Sequence, residues 1–184
     1  MGQNAENEIL FGSGDLYIVP EGVDFDTDTE EEIEDALIKI GESSGETSLN
    51  FTQEFVDVKG GAKNQTLATF ATNEEIMFNA GVVTFDLSKF KEILPAYFEE
   101  NETERRMGLG GIMTIPIQRL RFVHHKKADG KRIILDMFRA MNQSGLQMTF
   151  NPEQESVFQT EFKLLPDRTK DQNKGNVLQI IEEL

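Results

Sequence analysis

The chain predicts a mainly β fold, an antiparallel β-sandwich or barrel with one α-helix at about residues 86–99. Three observations carry that reading. Short runs of alternating apolar and polar residues recur along the chain and are punctuated by glycine and proline. A single stretch, "DLSKFKEILPAYFEE", instead shows helical spacing. An Asp-Gly pair between two apolar runs marks one clear hairpin.

In chain order, "ILFGSGDLYIVP" supplies a first strand ending at Pro20, and "DALIKIGES" a short second one before Gly41. In "TSLNFTQEFVDVKGG", Leu49, Phe51 and Phe55 alternate with Ser48, Asn50, Thr52 and Glu54. Val56 and Val58 then change phase, which predicts a β-bulge or a strand passing between environments. "QTLATFAT" and "EEIMFNAGVVTFD" continue the β pattern. In the helical stretch Leu87, Phe90, Ile93, Leu94, Tyr97 and Phe98 share one side, with Asp86 or Ser88 as cap. Pro95 is expected to kink or shorten that helix. "NETERRMGLGG" reads as a polar, glycine-rich linker.

The hairpin is "RLRFVHHKKADGKRIILDMFRAM", turning at Asp129-Gly130. Its second strand carries Ile133, Ile134, Leu135, Met137 and Phe138, a nearly continuous apolar run that suits a strand covered on both faces. "GLQMTFNPEQESVFQTEFKLLPD" adds two more strands and closes a single domain over 1–165. The tail, 166–184, carries Val177, Leu178, Ile180 and Ile181, too few apolar residues to fold alone, so it is expected to dock on this subunit or a neighbour.

A 184-residue chain suffices for one core, and its mean hydropathy of -0.41 is that of a soluble protein. No apolar run approaches bilayer length and no secretory leader is visible, so no membrane role is expected. With no cysteine, disulfides, thiol catalysis and cysteine zinc sites are all excluded.

The net charge of -15 argues against general nucleic-acid binding, which needs basic side chains to displace counterions. The charge is uneven: residues 21–35 hold nine acids and no base, whereas 119–139 hold seven Lys or Arg against two acids. Opposite patches on one chain suit self-association. Separate solvation of the two is the alternative.

Chemistry is hard to find. "DFDTDTEEEIED" opens like an EF-hand loop, but its sixth and twelfth places are Thr29 and Asp35 rather than Gly and Glu. His124 and His125 point to opposite faces of one strand and cannot share a metal. "GLGG" precedes strand-like sequence instead of the helix a phosphate loop requires. No "GxSxG" elbow occurs, and no acid/base pair can be proposed. The expectation is a protein that is not an enzyme and has no cofactor and no metal.

The order of segments resembles the major tail tube proteins of long-tailed bacteriophages. The likeness runs through "GDLYIVPEGVDFDTDTEEEIEDALIKIGESSGETSLNFTQEFVDVKGG". There a "LY" strand leads to a polar loop, an Ile40-Gly41 signature, and a strand ending in Asp57-Val58-Lys59-Gly60-Gly61. The remaining strands, helix and basic hairpin follow in the family's order, so the resemblance covers most of residues 10–165. The chain departs from the family at Pro95, inside the helix, and in "ALIKIG", which lacks the family's frequent aromatic.

The resemblance implies a structural subunit that forms hexameric rings stacked into a tube, its strands completing a β-barrel between subunits. DNA and a tape-measure protein would pass through the lumen. Tail terminator and baseplate proteins would cap the tube, and the site would be the virion tail, assembled in the host cytoplasm. On this plan Ser48, Asn50, Thr52 and Glu54 are the lumen-facing candidates. Asp24, Asp26, Asp28, Glu30, Glu31 and Glu32 would meet Arg119, Arg121, Lys126, Lys127, Lys131 and Arg132 of another subunit between rings. The competing readings are a monomeric β-sandwich module for carbohydrate or metal, a tail terminator or baseplate ring protein, and a DNA mimic using the acidic run. The absence of Trp and the presence of only two Tyr weaken the first of these.

Overall fold

A computed structural model describes residues 14–43, 47–83, 86–127, 129–147 and 157–184. Ten strands are described. One eight-stranded sheet runs β2-β1-β7-β8-β9-β4-β3, with β10 added on β8, and β5 and β6 form a separate two-stranded sheet. The strands are β1 (Gly14–Val19), β2 (Ile38–Glu42), β3 (Ser48–Gly60), β4 (Gln65–Val82), β5 (Ala96–Glu100), β6 (Arg105–Leu109), β7 (Ile117–His125), β8 (Arg132–Asn142), β9 (Phe158–Leu164) and β10 (Leu178–Glu182). Every ladder is antiparallel. The mainly β, antiparallel prediction therefore holds. No helix of the described residues is long and apolar enough to cross a membrane.

Two helices punctuate the strands, α1 (Glu30–Ala36) and α2 (Leu87–Phe90). The helix expected over 86–99 is corrected to the single turn of α2. Asp86 caps it, accepting hydrogen bonds from the Ser88 amide and hydroxyl at 3.0 and 2.7 Å. Pro95 has no N–H to give and its ring crowds the carbonyl four residues back, so the helix cannot pass it. It also pushes Leu94 out of helical geometry. The residues beyond become β5, which pairs with β6 from Ala96↔Leu109 to Glu100↔Arg105. The polar stretch read as a linker is thus half of a hairpin. The apolar side chains still reach the core, where Phe90, Ile93 and Leu94 are buried.

That core lies on one face of the large sheet. Leu16, Phe78, Leu120, Phe122, Met137, Phe158 and Phe162 are among its strand members. The Phe78 and Phe122 rings meet at 5.4 Å, in the tilted geometry aromatic pairs prefer. A bridge between Ser43 and Val82, with the Val83 amide donating to the Glu42 carbonyl at 3.1 Å, brings the β2 margin against β4.

The hairpin expected at 119–139 forms as β7 and β8, with Gly130 at φ 73° in its turn. Leu135 and Met137 face the core, while Ile134 and Phe138 are buried on the other side. The double-sided strand is borne out. The tail docks on its own subunit: Val177 is buried, and β10 pairs with β8 from Leu178↔Met137 to Glu182↔Ile133. Of the two strands expected after Gly145, the first falls largely outside the described residues, and the second is β9.

Candidate functional site

Two surfaces gather the residues singled out in the sequence. The first is the second face of β7 and β8, where the acidic run lies. Its backbone is organised by its own carboxylates. Asp24 accepts from the Asp26 amide at 2.9 Å, and Asp28 from the Asp24 amide at 2.8 Å. Thr29 and Glu32 form a capping box that starts α1, at 3.3 and 2.9 Å. These contacts hold the Asp24 and Glu32 carboxyls below the usual range, in each case chiefly through a backbone N–H donated to the carboxylate. The alternating acids thus serve as turn and cap residues. Among the described residues no cluster of His, Cys, Asp or Glu is placed to hold a metal.

The run reaches the sheet through two apolar anchors and several charged ones. Phe25 lies beneath the Arg119 and Arg121 guanidiniums, 4.7 and 5.2 Å from its ring centre, and meets Phe138 at 6.0 Å. Ile33 of α1 is buried. Glu30 takes a hydrogen bond from Arg121 at 2.5 Å, Glu34 takes one from Arg132, and Asp26 takes one from Lys170 at 2.5 Å. Arg119 donates to the Val23 carbonyl. Burial of an isoleucine is worth about 1.5–3 kcal/mol and an exposed ion pair only about 0–1, so Ile33 and Phe25 hold the cover and the charges set its register.

The inter-ring candidates therefore divide. Arg121 is 1% exposed and Lys126 7%, so both face their own chain, which corrects their placement as contacts to another subunit. Lys126 is held by Glu182 and Arg132 by Glu183 and Glu34, all within one subunit. Hydrogen bonds that Arg132 donates to Glu183 and then to Glu34 push its pKa up. Asp24, Glu31, Glu32, Lys127 and Lys131 stay at the surface, and Asp28 is half-buried. The sequence missed that the acidic and basic runs belong to one interface inside the chain. The only signal was the pattern in which Phe25 and Ile33 interrupt the acids.

The second surface is the ribbon of β3 and β4. Strand β9 pairs with β4 from Ile76 to Val82, so among the described residues β4 from Gln65 to Glu75 has only β3 beside it. At about 3.3 Å per residue this ribbon extends roughly 35 Å. Ser48, Asn50, Thr52 and Glu54 occupy one of its faces, opposite Asn79, Met77, Glu75 and Asn73. The predicted change of phase is present: the register shifts between Glu54 and Phe55, with Thr72 of β4 as the extra residue. Beyond it Val56, Val58 and Phe70 carry the polar face into an apolar one, while Phe51 and Phe55 lie on the reverse side. Phe51, Phe55, Val56, Leu67 and Phe70 are each more than half exposed. The outer edge of β3 has no strand beside it among the described residues.

Compared with known proteins, the chain matches no family model and no curated sequence.

Proposed function

We propose that the protein is a structural subunit that assembles with copies of itself into hexameric rings stacked as a tube, the tail tube of a long-tailed bacteriophage, through which the genome passes. The observation that carries this reading is the β3–β4 ribbon. A two-stranded ribbon is marginal alone in water, and this one presents large apolar side chains on both faces and an edge with no strand beside it among the described residues. Such a surface is stabilised when neighbouring subunits cover it and continue its ladder. The order of motifs that resembles the tail tube family supports the same assignment.

In this reading the polar base of the ribbon, Ser48, Asn50, Thr52 and Glu54, lines the lumen. The surplus negative charge of the chain repels phosphate, so DNA slides past without sticking. The tape-measure protein occupies the lumen before the DNA, and the site of action is the virion tail. No covalent chemistry is required of the subunit.

Negative-stain electron microscopy of the purified chain, concentrated stepwise at low and high salt, tests the proposal. Rings or tubes of uniform width are expected. Dispersed monomers throughout the concentration and salt series would overturn it.

A further inference from the structure

Between β6 and β7 the chain runs exposed from Gly111 to Pro116, and among the described residues none shares a backbone hydrogen bond with it. Its sequence is nevertheless that of a strand. Met113, Ile115 and Ile117 alternate with Thr114 and Pro116, which puts three apolar side chains on one side. Met113 is 90% exposed, and Ile115 and Ile117 are 39% and 43% exposed. Gly110 and Gly111, at φ 99° and 78°, turn the chain out of β6 at one end. Pro116, without an N–H, ends any ladder at the other.

The outer edge of β3 is the complement. It offers a row of free backbone donors and acceptors, contains no proline, and is not shielded by another element among the described residues. We infer that residues 112–115 of one subunit add as a strand to the β3 edge of a second copy, along Leu49–Gln53. This rests on the self-assembly reading and deepens it by naming the contact.

Charge points to a second copy as the occupant. A chain carrying -15 repels its own copies over most of its surface. Residues 107–117 contain no charged side chain, and neither do Leu49–Gln53. These two stretches can approach without that cost. Phe51 offers its exposed ring to the alternating Met113 and Ile115. Donor and acceptor are different surfaces, so the contact is heterologous and passes from copy to copy around a ring instead of closing as a dimer.

The absence of cysteine permits a direct test. Ile115→Cys is combined in turn with Asn50→Cys, Phe51→Cys, Thr52→Cys and Gln53→Cys, and each variant is oxidised mildly at assembling concentrations. The expected result is a reducible ladder of covalent oligomers from one or two of these registers and not from the others. Thr114→Pro, in an exposed position that leaves the circular dichroism spectrum unchanged, removes a central N–H and is expected to raise the concentration needed for assembly at least tenfold. Rings in the microscope without cross-links in any register, or with Thr114→Pro assembling as the parent does, overturn the contact and leave the ring reading standing. Cross-linked oligomers without rings or tubes uphold the contact and overturn the ring reading. Monomers without cross-links overturn both.

Discussion

Arg121 and Asp136 face each other across β7 and β8, both almost wholly buried, joined by two hydrogen bonds of 2.6 and 2.8 Å. Glu30 reaches the same guanidinium from the acidic run. The sheet thus carries a paired charge at the centre of the face that α1 and its preceding loop cover. Removing one member leaves the other buried and uncompensated, which costs about 3–5 kcal/mol. Asp136→Ala is expected to lower stability by that amount, read as a fall in the urea midpoint at unchanged slope. The double replacement Arg121→Met with Asp136→Leu, which leaves only the exposed Glu30 carboxylate unpaired and no buried charge, is expected to lose much less. Equal losses in the two would show that the side-chain packing, not the charge, is what matters there.

Gly14 begins β1 opposite His124, where a Cβ would sit 2.4 Å from the Phe122 Cζ and 2.6 Å from the Val123 carbonyl oxygen. The ring is held in the core and the carbonyl belongs to the β7 backbone, so neither can retreat cheaply. Gly14→Ala is expected to cost about 1–3 kcal/mol, the range for overpacking. Chemical denaturation checks it, and a midpoint equal to the parent's would contradict the close approach of β1 and β7.

Asp86 and Asp167 contribute, with Asp24, Glu32 and Glu183, to the loss of stability in acid. Hydrogen bonds from the Ser88 hydroxyl and amide, together with the Arg105 guanidinium at 3.0 Å, hold the Asp86 carboxyl below the usual range. For Asp167 the same is done by the Thr169 hydroxyl at 2.7 Å and amide at 2.9 Å. Each is thus a stronger acid folded than unfolded, where the ordinary value is 3.8. Their contribution is complete above that value and is lost as pH falls through the lower folded ones. Thermal melts from about pH 6 downward are therefore expected to fall in Tm below about pH 4. Asp86→Asn and Asp167→Asn should each flatten that fall, and an unaltered profile in both would reject the assignment.

Val56 and Phe70 stand opposite each other near the ribbon's outer end, and both are more than half exposed. Replacing both with Ser is expected to change monomer stability by no more than about 0.5 kcal/mol, since neither packs in the core. The same change should abolish rings and tubes, because it removes apolar surface that a neighbour covers. Normal assembly of the doubly substituted chain, seen by electron microscopy, would mean that this end of the ribbon lies outside the contact.

Local pattern was enough for much of this molecule. The turn at Asp129-Gly130, the double-sided β8 and the phase change near Val56 were all legible, because each is written in neighbouring residues. The helix over 86–99 misled for an instructive reason. Phe90, Ile93 and Leu94 do reach the core, but that spacing also suits one helical turn followed by bends, and Pro95 decides between the two. The β5–β6 hairpin was hidden because its second strand, "RRMGL", has the composition of a linker and is held by pairing with "AYFEE" and by the Arg105 contacts to Glu100 and Asp86.

The amino-acid order alone determined the class of fold, most of the strands, the charge asymmetry and the lack of any thiol, since periodicity, composition and turn chemistry act over a few residues at a time. Tertiary structure decided what those strands face. It alone set the acidic run against the basic hairpin of the same subunit, buried Arg121 with Asp136, and left the outer edge of β3 and residues 111–116 without a strand partner among the described residues. Those outcomes depend on which distant segments meet, and the free energy of burying Phe25 or Ile33 is set by the surface across from them rather than by the residues beside them in the chain.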